Sequence, residues 1–85
     1  MMVSVTCSVI IQNGHLLIAQ RKPDDTHSLK WELPGGKVEA GETDRECLIR
    51  ELKEELDITV RIGDRLPENV HRYGEKEILL IPFFL

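Results

Sequence analysis

The stretch from Gly35 to Ile58, GGKVEAGETDRECLIRELKEELDI, constrains the chain most, because it carries the start, the length and both faces of one helix. Thr43 with Glu46 three residues later forms a capping box, in which the hydroxyl and the carboxylate each satisfy a backbone N–H that a first helical turn leaves unpaired. The pattern predicts a helix from about Asp44 to Leu56. Each helical residue advances by roughly 100°, so Leu48, Ile49, Leu52 and Leu56 share a face, while Glu51, Glu54 and Glu55 fall within an arc of about 100° beside it. The aliphatic face is expected to turn inward, with the carboxylates along its edge. Like charges at this spacing repel, by about a few tenths of a kcal/mol for each i,i+4 pair. A divalent cation reverses that sign, and oxygen-only ligands suit Mg²⁺ or Mn²⁺, which keep waters and bridge to phosphate oxygens. A solvated charged face is the competing reading of the same spacing.

The acidity is local. The net charge is −4, and residues 42 to 57 hold seven acids against Arg45, Arg50 and Lys53, so the rest of the chain balances to zero. That distribution favours a bound cation and lacks the basic footprint of a nucleic-acid binder. With 85 residues the chain makes one small domain, and 41% hydrophobic with 31% charged residues is an ordinary globular composition. Cys7 and Cys47 stand far apart without a CxxC or a nearby histidine pair, which suggests neither a zinc knuckle nor a disulfide framework. The amino terminus lacks the features of a signal peptide and Ile78–Leu85 is too short to cross a bilayer, so a cytoplasmic protein with no membrane partner is expected.

Along the chain, Val3 to Ile11 is rich in β-branched residues, Asn13-Gly14 favours a two-residue hairpin turn, and Leu16 to Arg21 reads as the returning strand. Lys22 to Lys30 is a polar loop, after which Trp31 and Leu33 alternate with Glu32 until Pro34-Gly35-Gly36 ends the strand. Ile58 to Ile62 is β-like, and Asn69 to Leu85 reads as a hairpin turning at Gly74-Glu75-Lys76. The apolar segment Ile78 to Leu85 is expected to be an unpaired edge that joins copies of the chain into a dimer or larger species. His15, His27 and His71 sit in or beside turns and read as surface residues; Trp31 reads as core rather than as a base-stacking platform; Cys47 is given no chemistry.

Gly36, Glu42 after five residues, and then, after seven more, Arg50-Glu51-Leu52-Lys53-Glu54-Glu55-Leu56-Asp57-Ile58 resemble the Nudix box of hydrolases that cleave nucleoside diphosphates linked to another moiety. Asp57 is the one departure, where the family has glycine. The wording WELPGGKVEAGE is similar to MutT-like members, which hydrolyse nucleoside triphosphates, often damaged ones, to monophosphate and pyrophosphate. The resemblance implies that Glu51, Glu54 and Glu55 hold the catalytic Mg²⁺ or Mn²⁺, with the Gly35 carbonyl as a further ligand. It implies that Arg50 orients a carboxylate such as Glu54, that Glu42 supports the loop, that Arg21 contacts phosphate, and that Lys37 binds substrate. A carboxylate such as Glu51 is the expected acceptor of the attacking water's proton, and a charge closing an exposed strand end is the competing reading of Arg21. The implied fold is α/β: the amino-terminal part of a Nudix domain, a mixed sheet with the catalytic helix, and a carboxy-terminal half missing. A nucleotide- or metal-binding module without turnover, and an incomplete fold that self-associates, are the alternatives.

Overall fold

A computed structural model describes residues 2–21, 23 and 29–85, Tyr73 by its backbone alone. The β-branched start forms β1 (Met2–Val9), and the chain then makes the short strands β2 (Ile11–Gln12) and β3 (His15–Leu16), joined by Asn13 and Gly14. Both turn residues have positive φ, 51° and 76°, the geometry for which an Asn-Gly pair is suited. The expected returning strand from Leu16 to Arg21 is broken: β4 (Ala19–Gln20) pairs separately with β5 (Trp31–Glu32) as a small antiparallel ribbon. Trp31 is 61% exposed, which corrects its assignment to the core; its ribbon stands apart from the main sheet. His15 and His71 are exposed as expected, while His27 and most of the predicted loop lie outside the described residues.

The main sheet is mixed. β6 (Gly35–Lys37) pairs antiparallel with β1, β1 pairs in parallel with β8 (Lys76–Phe84), and β7 (Asn69–Tyr73) returns antiparallel on the far side of β8, giving the order β6-β1-β8-β7. The terminal hairpin turns at Gly74-Glu75, with Lys76 already paired to Tyr73. The carboxy-terminal strand is therefore internal, not the unpaired edge expected. From Met2–Glu77 to Val9–Phe84 its ladder is filled by β1, and residues 63–66 cover the end that β7 does not reach, through bonds such as Leu66 N–H to Pro82 O (2.9 Å) and Phe84 N–H to Asp64 O (2.8 Å). Its backbone has no open side on which to join another copy.

Ile58 to Ile62 is not a strand. Ile58, Val60 and Ile62 do alternate inward and pack against the core, but as extended chain with no ladder partner among the described residues. Period-two burial and strand pairing are separate properties, and here only the first is present.

Helix α1 (Asp44–Leu56) has the predicted limits and both capping-box bonds, Glu46 N–H to Thr43 Oγ1 at 3.1 Å and Thr43 N–H to Glu46 Oε1 at 2.8 Å. Leu48 and Leu52 are fully buried with Ile81 and Phe83, and Leu56 packs at the margin. Ile49 is 40% exposed, so the inward face is narrower than its aliphatic residues suggested.

Asp57 ends the helix in the left-handed conformation (φ 54°, ψ 39°), its N–H bonded to Lys53 O at 3.0 Å. A β-carbon is penalised there and glycine is not, so Asp57→Gly should raise stability by roughly 0.5–1 kcal/mol. The exposed Lys53–Asp57 ion pair (2.8 Å) lost with it contributes little and trims the gain toward the lower figure. Paired thermal melts should show a midpoint about 2–4 °C higher for the variant; a lower one would contradict the strain.

Candidate active site

The site is built where α1 crosses β6. Ser8 fixes the turn before β6, its N–H and hydroxyl both donating to the Pro34 carbonyl at 2.8 and 2.9 Å. At Gly35 a β-carbon would collide with the backbone of Thr6 and Cys7 on β1, and at Gly36 it would occupy the space of the Glu51 carboxylate. Two glycines are thus required for two different close approaches, the first of strand to strand and the second of strand to helix.

Cys47, fully buried, is the helix residue at that crossing. Its Sγ lies 3.3 Å from Lys37 O, 3.5 Å from Gly36 O and 3.3 Å from Thr6 Oγ1. Burial pushes its thiol pKa up, so it stays a neutral donor to these carbonyls. The sequence reading gave it no chemistry, and the structure gives it a packing role: a small side chain lets strand and helix meet.

Arg50 is the hub of the charges. Its Nε and Nη2 grip Glu42 at 3.0 and 2.6 Å, Nη1 reaches Glu51 at 3.0 Å and Glu54 at 3.4 Å, and Nη2 also donates to Lys37 O at 3.1 Å. The carboxylate it mainly orients is therefore Glu42, before the helix, rather than Glu54 one turn on. Glu42 in turn accepts from the Glu39 N–H at 2.8 Å, a contact within the loop between β6 and α1.

The Arg50 hydrogen bonds, then that of the Glu39 backbone, hold the Glu42 carboxyl down at about 2. A depressed carboxyl stabilises the fold at pH values above its unfolded pKa, here 4.5, and that contribution disappears as pH falls through the folded value. Glu42→Gln should accordingly melt at a lower temperature than the parent at pH 7, with the gap closing between about pH 5 and pH 2. A gap that is constant across this range would show that Glu42 acts without its charge.

The three glutamates on the helix are not equivalent. Glu51 and Glu55 are close enough to share a hydrogen bond; partial burial first, and then that bond and the negative charge of Glu51 and Glu32, push the Glu55 carboxyl up to about 7. Glu54, its side chain 60% exposed, has Arg50 as its one ion-pair partner among the described residues. Among the described residues, no three His, Cys, Asp or Glu side chains converge closely enough to hold an ion. The structure thus brings Glu51 and Glu55 together and links Glu51 to Glu54 through Arg50, short of a closed triad. A pair of carboxylates held at this distance is nonetheless the donor set that a hard divalent cation accepts in place of a shared proton.

Glu54 and Glu55 line an open cleft of about 610 Å³ together with Arg21, Glu32, Leu33 and Pro34. Arg21, expected at the phosphates, lies in this cleft with Nη1 2.8 Å from Glu32 Oε1. Lys37 is exposed on β6 and does not line the cleft. Glu32 was not singled out from the sequence; it stands between the apolar Trp31 and Leu33 at the start of the WELPGGKVEAGE stretch, with no role assigned to it there.

A capped helix laid across a mixed sheet, with its carboxylates beside a double-glycine strand and an arginine lining the same open cleft, defines an α/β domain with an acidic site. Residues 2–84 match the NUDIX domain family model, and the chain belongs to the Nudix family, among its MutT-like members. The CTP pyrophosphohydrolase of Escherichia coli K12 is 41% identical over 63 residues, covering 74% of this chain and 47% of that protein. The 8-oxo-dGTP diphosphatase of the same strain is 44% identical over 69 residues, covering 81% and 54%. The crystal structure of the MutT protein from Methanosarcina mazei Go1 superposes with a TM-score of 0.89 at 30% identity, covering 98% of this chain and 62% of that one. The chain spans about half the length of the two curated relatives. Among the described residues no helix is long and apolar enough to cross a membrane.

Proposed function

We propose that the chain hydrolyses nucleoside triphosphates, standard or damaged, to the monophosphate and pyrophosphate with Mg²⁺ or Mn²⁺ as cofactor, in a cytoplasmic setting. The observation that carries this reading is the cleft itself, whose lining includes both Glu54 and Glu55 and the cationic Arg21. The relatives named as pyrophosphohydrolase and diphosphatase support the same bond class.

A divalent cation held by Glu51 and Glu55, with Glu54 and the Gly35 carbonyl as further ligands, would neutralise the phosphate chain and acidify a water. The residues of the chain do the rest. Arg21 binds and orients phosphate oxygens through its planar fork; Lys37, exposed on β6 outside the cleft, is given no contact to them. Glu51, fixed between Gly36 and Arg50, accepts the proton of the attacking water as its oxygen bonds to phosphorus. The P–O bond of the anhydride between the α- and β-phosphorus atoms breaks on the side opposite attack, and the leaving group, monophosphate or pyrophosphate according to which phosphorus is attacked, keeps the electron pair. Arg50 and Glu42 hold the loop and helix in register throughout.

Pyrophosphate release, measured for a panel that includes CTP, dGTP and 8-oxo-dGTP with Mg²⁺ and with Mn²⁺, tests this. Release that needs the cation is expected; binding of nucleotide and cation without release would make the chain a binding module instead.

A further inference from the structure

Taking the cleft as a nucleoside triphosphate site, as proposed above, we infer that Glu32 is a positioning residue whose carboxylate, 2.8 Å from Arg21 Nη1, aims the Arg21 guanidinium at a phosphate chain bound in the cleft that Glu54 and Glu55 also line. The backbone of Arg21 is already fixed. Its N–H donates to Lys30 O at 2.9 Å, and its carbonyl accepts from Leu29 N–H at 3.2 Å, so the ribbon of β4 and β5 continues past its named strands. Beyond that anchor the arginine stem keeps several rotatable bonds, and the fork has to be held for it to meet phosphate bidentately. Glu32 sits two pairs away in the same ribbon, opposite Ala19, and Arg21 and Glu32 both line the cleft. Neighbouring strand residues face opposite ways, so Trp31, which does not line the cleft, points elsewhere.

Two physical arguments favour positioning over a structural role. First, the side chains of Arg21 and Glu32 are 35% and 49% exposed, and an ion pair this open to water adds little to folding stability. Second, Glu32 is a further carboxylate in a cleft proposed for a polyanion. Acting alone it would repel phosphate, so its presence is useful to binding only through the cation that it holds.

The test is the affinity for a deoxyguanosine triphosphate analogue with a methylene bridge between its α- and β-phosphorus atoms, titrated calorimetrically with Mg²⁺ present. E32Q is expected to weaken binding roughly three- to tenfold, the effect of losing one charge-assisted hydrogen bond that orients the fork. In an R21A background the same replacement should leave binding unchanged or strengthen it, since only the repulsive charge remains to be removed. Equal weakening with and without Arg21, E32Q binding as tightly as the parent, or no binding of the analogue by the parent would each overturn the assignment. Melting midpoints of E32Q and the parent should agree within about 2 °C, as befits an exposed pair. The hydrolase reading fails separately: a parent that binds the analogue with intact Arg21–Glu32 coupling, yet releases no pyrophosphate from dGTP, loses that reading and keeps this one.

Discussion

Replacing Glu54 by Gln is expected to lower cation-dependent pyrophosphate release by about 10²-fold or more, while the melting temperature stays the same or rises slightly. The substitution is nearly isosteric and removes one negative charge from the helix face that the cation would occupy. Stability should not suffer, because the Glu54 side chain is 60% exposed and its bond to Arg50 is long, 3.4 Å. Its loss also relieves repulsion with the neighbouring acids, worth about a few tenths of a kcal/mol. Glu54 is therefore a better probe than Glu51, whose carboxylate is also wedged between Gly36 and Arg50 and whose removal disturbs packing as well as charge. Cation titrations of the variant should show half-saturation moved to higher concentration. Near-normal turnover, or a large loss of stability, would remove Glu54 from the proposed ligand set.

Much of the helix was legible because its signals are local. The Thr43–Glu46 box and the Leu48–Leu52 spacing each involve residues within a turn or two of one another, and each has its expected consequence in the structure. The sheet was legible only in part. A run such as Ile78 to Leu85 announces a strand, but whether it lies at an edge depends on β1, more than seventy residues earlier in sequence. Nothing local in either segment encodes that pairing. Ile58 to Ile62 misled for the opposite reason, since its inward alternation is real and only the ladder is absent.

The site shows the same division. That Glu51, Glu54 and Glu55 share a helix face follows from periodicity, but that Arg50 grips Glu42 does not, because Glu42 precedes the helix and no 3.6-residue repeat relates the two. The spacing of the Nudix box does contain both residues, and it was the one signal linking them before the fold was known. Cys47 and Glu32 had no comparable signal. Their contacts, to the carbonyls of β6 and to Arg21, join segments about ten residues apart through turns whose course the side chains do not announce.

The two adjacent glycines should respond to the same substitution in opposite ways. At Gly35 an added β-carbon meets backbone alone, with Cys7 Cα at 2.7 Å and the Thr6 carbonyl carbon at 2.8 Å from its ideal place, so β6 cannot keep its ladder with β1. Gly35→Ala should cost about 3 kcal/mol, a fall in melting midpoint of more than about 10 °C for a domain of this size. At Gly36 the atoms in the way are those of the Glu51 carboxylate, the far end of a flexible side chain that can rotate aside. Gly36→Ala should therefore fold, with its midpoint lowered by no more than about 5 °C, because rotation costs less than moving backbone. The rotation carries Glu51 away from Arg50 Nη1, now at 3.0 Å, and out of the position proposed for ion and water. A displacement of about 1 Å at such a site can cost about 10²-fold in rate, so Gly36→Ala should lose pyrophosphate release on that scale while remaining folded. Thermal melts and pyrophosphate release measured on both variants decide the matter. Full activity in a folded Gly36→Ala chain would mean that the close approach of Glu51 to β6 serves packing alone. A Gly35→Ala chain as stable as the parent would mean that β6 can shift against β1, and the frame proposed for the whole site would lose its fixed wall.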